Sequence, residues 1–177
     1  MSSKTFLNLL TIAIILLLSA GLMSCKKDSG PTNPGPDPGP TQYTTSFTLN
    51  GGGFNNRTIT LQNTVGGYDA DDNISGIGVA GISGSDSVSF ALIFPGSSTG
   101  SFPWNDTTSY GLIIIGQTIN QNMYVTLMGQ GSTTVTGYGN PPTGQITGTF
   151  SGKFAQVAQS PDTITVTNGS FKALRVQ

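Results

Sequence analysis

From residue 43 onward the chain alternates apolar and polar positions in short runs, the period of half-buried β-strands. In Asp86 to Phe94, Val88, Phe90, Leu92 and Phe94 fall on one face, with Ser87, Ser89, Ala91 and Ile93 on the other. Ile146, Phe150 and Phe154 share a face with Gly148 and Gly152, against Thr147, Thr149, Ser151 and Lys153. In Asp162 to Thr167, Ile164 and Val166 alternate with threonines. Looser runs cover 44–49, 58–61, 76–82, 110–115, 123–128, 133–137 and 171–176. Asn50-Gly51 and Asn168-Gly169 predict tight hairpins, because Asn-Gly readily adopts positive φ. Pro95-Gly96-Ser97-Ser98 and Pro141-Pro142-Thr143-Gly144 predict longer loops. About ten short strands joined by turns define an all-β fold. An antiparallel β-sandwich is the first expectation and a small up-and-down β-barrel the alternative.

The first 42 residues follow a different pattern. Lys4 precedes a ten-residue apolar core, Leu9 to Leu18, interrupted only by Thr11, and then the small residues Ser19-Ala20-Gly21. A core of that length suits an export signal and falls short of the ~20 apolar residues that a permanent membrane helix needs. Residues 29–42 read SGPTNPGPDPGPTQ, with proline and glycine at more than half the positions. Such a stretch cannot enter a sheet interior and forms an extended spacer. Three segments result: a leader at 1–24, a tether at 25–42 and an all-β domain at 43–177.

Composition sharpens this picture. Only 8% of residues are charged and none is Glu, so solubility must come from Ser, Thr, Asn, Gln and Gly. Net charge is −1, and beyond residue 27 no Lys/Arg cluster could neutralise phosphates, which argues against nucleic-acid binding. The single cysteine, Cys25, cannot form a disulfide within the chain, so packing and strand hydrogen bonds must hold the domain.

The candidate chemistry is sparse. Without histidine no Ser-His or Cys-His pair can form, and Asp69, Asp71, Asp72, Asp86, Asp106 and Asp162 sit in or beside turns, where Asp is expected structurally. The expectation is no enzyme and no obligatory cofactor. Asp69, Asp71 and Asn73 place oxygen atoms at alternate positions, as calcium loops do. Ile74 and Ala80 stand where an EF-hand needs Gly and Glu, which leaves a looser calcium site or a solvated acidic turn. Tyr68, Trp104 and Tyr138 fall in loop-like segments and could present flat faces to a glycan or small ligand. The other reading of Trp104 is a core plug.

Leu22-Met23-Ser24-Cys25 resembles the bacterial lipobox, with an aliphatic residue three before the cysteine and a small one just before it. The resemblance implies cleavage before Cys25 and acylation (palmitate and similar chains) of that residue. One acyl chain anchors marginally at about 0.8 kcal/mol per buried CH₂, whereas two or three hold stably. Lys26, where Asp would retain an enterobacterial lipoprotein in the inner membrane, implies the outer membrane. Cys25-Lys26-Lys27-Asp28 looks like the start of many Bacteroidota lipoproteins. Gly148-Thr149-Phe150-Ser151-Gly152, followed by Ile164 to Phe171 (ITVTNGSF), is similar to the C-terminal pattern of small Bacteroidota lipoproteins of unknown function. Together these imply a lipid-anchored cell-envelope protein, facing the periplasm or the cell surface. Its domain is expected to serve as a structural or accessory interaction module for an envelope protein, or to bind a glycan or small ligand.

Overall fold

A computed structural model describes residues 42–105, 107–116, 123–157 and 162–176. The expected leader, Cys25 and the tether up to residue 41 lie outside these residues. Ten strands follow one another: β1 (Thr44–Gly51), β2 (Phe54–Gln62), β3 (Val65–Asp69), β4 (Ile74–Ser83), β5 (Asp86–Pro95), β6 (Gly100–Pro103), β7 (Tyr110–Ile115), β8 (Met123–Tyr138), β9 (Gln145–Gln156) and β10 (Thr163–Arg175). No helix occurs among the described residues.

Seven of these strands close into a barrel, in the order β3-β4-β5-β7-β8-β9-β10 and back to β3. Successive members run antiparallel. An odd number of alternating strands leaves the first and last pointing the same way, so the closing pair must be parallel. Leu174 and Arg175 of β10 do pair in parallel with Val65 and Gly66 of β3. The barrel is thus the architecture adopted, in place of the two-sheet sandwich. Closure depends on the length of β10, which pairs β1 along most of one edge and then reaches β3 with its last residues. A barrel leaves fewer unpaired edges than a sandwich, an advantage for a chain with few charges to guard them.

Where short β3 does not reach, the β1–β2 hairpin extends the wall, hydrogen-bonded to β10 through β1 and burying Phe47, Leu49, Ile59 and Leu61 on its inner side. Its outer strand lies beside the lower half of β4, with the Leu61 side chain over Gly81. Among the described residues, backbone ladders join β2 only to β1. Side chains bridge the β2–β4 seam: Arg57 bonds the Asp86 carboxylate at 2.6 Å and the Ser83 carbonyl at 2.9 Å.

The lumen is filled by inward residues of nearly every strand. At its centre Phe90 stacks on Phe150, with ring centroids 4.8 Å apart, and Phe47 and Phe171 pack around them. The predicted alternation over 86–94 and 146–154 places these rings inward. All ten strands and the whole core lie between Thr44 and Arg175. The chain from residue 26 onward therefore carries every strand and core residue among the described residues.

The wall has one break, and Trp104 fills it. β6 pairs the upper half of β8 and β7 its lower half, so the two form one interrupted line along a single edge. Opposite the interruption, the register of β8 against β9 slips between Thr126 and Gly131. The Trp104 amide donates to the Gly131 carbonyl, and the Trp104 carbonyl accepts from Gly129, each at 2.9 Å. The ring turns inward, 1% exposed, edge-on to Phe154, with its indole N–H donating to Thr133 Oγ1 at 3.0 Å. It lies directly on Gly131 and Gly152, where an added Cβ would stand 2.3 and 2.4 Å from the ring. Asn105 then winds the chain into β7, its Oδ1 accepting from the amides of Thr107, Thr108 and Ser109.

Several expected boundaries change. Asn168-Gly169 is no hairpin: Asn168 holds φ 52° inside an unbroken β10, as part of a bulge against β9 between Val166 and Gly169. β1 and β9 continue on either side of it, so the extra residue is absorbed by the ladder. The runs at 123–128 and 133–137 are one strand, and β6 at Gly100–Pro103 is a strand the alternation does not predict. Asn50-Gly51 does open a hairpin turn, centred on Gly52-Gly53.

Gly131→Ala is expected to cost at least about 2 kcal/mol by overpacking, and Trp104→Ala about 3–5 kcal/mol. Urea unfolding followed by circular dichroism checks both. Equal midpoints for Gly131→Ala and wild type would contradict the close Trp104–glycine contact.

Candidate functional site

The three aromatic candidates do not form one exposed platform. Trp104 lies in the core. Tyr138 is half-buried near the end of β8, its hydroxyl sharing a hydrogen bond with Ser75 and its ring lying under the Arg175 guanidinium, 4.7 Å from the centroid. Tyr68, on β3, donates its hydroxyl to Asn73 Oδ1 at 2.9 Å. Tyr68 and Tyr138 approach each other around Ser75, which stands opposite Tyr68 in the β3–β4 ladder.

Asp69, Asp71 and Asn73 form the exposed β3–β4 turn. Asp69 Oδ1 accepts from the amides of Asp71 (2.9 Å) and Asp72 (3.3 Å), an Asx turn, and Asn73 takes φ 52°. A cation at Asp69 would have to compete with those amides, and one at Asn73 with the Tyr68 hydroxyl. Asp86 is engaged with Arg57, on the far side of β4 from this turn. Asp106 and Cys25 lie outside the described residues.

The sequence reading missed what the ladders assemble on the outer surface. Ser101, Thr134, Thr149, Ser170, Ser46 and Thr60 stand opposite one another in register across β6, β8, β9, β10, β1 and β2. All six face outward, forming one hydroxyl row around that side of the barrel. Its ends are internally hydrogen-bonded: Thr134 donates to Ser101 at 3.4 Å, and Ser46 and Thr60 are 3.1 Å apart. Thr48, flanked by Thr58 and Thr167, continues a second row beside it. A shallow groove of about 220 Å³ opens on this field at the β10 bulge, lined by Ser132, Thr134, Thr149, Ser151 and Asn168 among others. Lys153 and Lys172 stand on the same face, opposite Thr165 and Thr147. Among the described residues, these six strands hold no carboxylate. The alternating Ser/Thr of each strand was visible in sequence, but their alignment depends on inter-strand register, which a single chain does not display.

Two tyrosines titrate high. Burial pushes the Tyr110 hydroxyl above its usual value, and burial, then the Asp162 carboxylate, does the same for Tyr124. Tyr124 lies inside the barrel wall beside Phe54.

Compared with known proteins, the chain matches no family, no curated protein and no solved structure.

A raised tyrosine pKa means that the folded state holds its proton more tightly than the unfolded chain. This stability is fully present below the unfolded tyrosine value of about 10 and is lost as pH rises from there through the higher folded value. Thermal melts between pH 8 and 11 should therefore show a steep alkaline decline, shallower in Tyr124→Phe. A parallel decline in both proteins would remove Tyr124 as a cause.

Proposed function

We propose that the protein is a lipid-anchored envelope lipoprotein whose barrel is an accessory interaction module, working through its outer surface. The observation that supports this best is the division of labour between the inside and outside of the barrel. The lumen is filled by a continuous aromatic and aliphatic core, while the outer wall carries the aligned hydroxyl row. A filled lumen leaves recognition to that wall. Leu22-Met23-Ser24-Cys25 supplies the anchor and the Pro/Gly stretch the spacer, reaching on the order of 50 Å from Cys25 at about 3.1 Å per residue. Mass spectrometry of protein extracted from the native envelope is expected to find a mature chain starting at an acylated Cys25. A free thiol at Cys25, or an N-terminus elsewhere, would overturn the anchor.

A second reading, saccharide binding, is favoured by the hydroxyl field and its groove. Neutral hydroxyls in register offer donors and acceptors at the ~4.8 Å strand spacing, suited to a polyhydroxylated chain laid across the strands. In this reading the Tyr68–Trp104–Tyr138 set gives way to Thr134, Thr149 and Ser151. Titration of neutral oligosaccharides is expected to shift amide resonances of Thr134, Thr149 and Ser151, with at least tenfold weaker binding in Thr149→Val/Ser151→Val. Shifts confined to the surroundings of Tyr68 and Tyr138 would return the site to the tyrosines.

A further inference from the structure

The side of the barrel away from the β1–β2 hairpin has an outer face of opposite character. Ala91, Leu112, Val125 and Ala155 stand in register across β5, β7, β8 and β9. Ile114 and Met123 are paired in the adjacent row, and the Val157 amide bonds the Met123 carbonyl. Their chain neighbours Leu92, Ile113, Tyr124 and Phe154 point into the core, so these residues point out. β7 is apolar on both faces for this reason. Of the five large hydrophobic residues most exposed among the described residues, Val125, Met128 and Val157 belong to β8 or to the segment paired with it, at 37%, 68% and 45% exposure. β5 after Asp86, β7 and β8 contain no charged residue, and β9 contributes only Lys153, at the margin. Contiguous exposed apolar surface of this kind marks an interaction site.

We infer that this wall docks on a lipid bilayer, seating the barrel shallowly at the headgroup–acyl boundary. The inference rests on the lipid-anchored reading for its biological setting but not for its physics. Three features favour a bilayer over a protein. The wall is convex, being the outside of a closed barrel, and two such walls meet along a ridge. A stable interface needs about 800 Å² from each partner, whereas a fluid bilayer deforms around a ridge. The wall also offers few polar groups to specify a partner, where a protein interface has about one hydrogen bond per 100–200 Å². Lys153 can lay its stem along the apolar surface and place its ammonium among lipid phosphates.

The chain outside the described residues permits this placement. It enters at Tyr43, on the β1 side, where the Tyr43 carbonyl bonds the Thr64 amide. A seven-stranded barrel is on the order of 15 Å across its backbone, so a ~50 Å tether passes around it with length to spare. Tethering also raises the local concentration of wall and bilayer to about millimolar. An intrinsically weak dock then suffices to orient the domain, with the hydroxyls of β1, β2 and β10 directed away from the bilayer.

The test uses residues 26–177, which carry every described strand and lack Cys25, mixed with phosphatidylcholine vesicles with and without phosphatidylglycerol. Co-sedimentation is expected with both, changing little between low and high salt. Val125→Asp/Val157→Asp should weaken it tenfold or more, with the far-ultraviolet spectrum and urea midpoint kept near wild type. Thr149→Val/Ser151→Val, farther along β9 and outside the apolar wall, should sediment as wild type. No binding at millimolar lipid, or equal binding by Val125→Asp/Val157→Asp, overturns the proposal. So does a concentration-dependent dimer that Val125→Asp/Val157→Asp dissolves, which would assign the wall to a second copy. An unmodified Cys25 in native material would sink the anchor and leave the vesicle result standing; an acylated Cys25 without vesicle binding would do the reverse.

Discussion

The barrel depends on one contact, the Trp104 indole laid against Gly131 and Gly152. At that point β6 ends, β7 has not begun and β8 slips its register, so the wall has no continuous ladder. Two backbone hydrogen bonds tie Trp104 into the gap while its ring fills the space behind. The glycines make this possible because only a residue without Cβ lets an aromatic face approach a strand so closely. Gly148 does the same for Phe171 four residues earlier on β9. A pattern that reads in sequence as weak strand propensity is a pair of sockets for rings.

How much of this was legible follows from what each feature needs. The strands at 86–95, 110–115 and 145–156 were visible because alternation is local, and their inward residues form the core as expected. β3 was not visible: Val65-Gly66-Gly67-Tyr68-Asp69 contains two glycines and only one β-branched residue, and its pairing is fixed by β4 and β10. Asn168-Gly169 misled because the same positive φ serves a bulge or a turn, and the choice belongs to the strands alongside. Trp104 was left between plug and platform, since a Phe-Pro-Trp segment does not reveal which way its ring points. The hydroxyl row and the apolar wall both require register between strands distant in sequence. Neither can be read from one strand at a time.

With few charges, the molecule separates two kinds of neutral surface. Hydroxyls collect on β1, β2, β6, β9, β10 and the upper half of β8, and apolar side chains on β5, β7 and the lower half of β8. The long strand β8 contributes to both, changing character across its bulge: Val125 lies before the bulge, and Ser132 and Thr134 after it. One irregularity therefore breaks the ladder, seats the tryptophan and divides the outer surface.

The position of β10 has a consequence for biosynthesis. This last strand is the neighbour of β1, β3 and β9 at once, and its pairings with β1 and β3 span more than a hundred residues of chain. Until β10 emerges, the hairpins before it have no closing partner, and non-local pairing of this kind is slow to form. A chain synthesised only as far as β9 would thus lack the strand that joins both ends of the wall, and would lock shut only once β10 had followed.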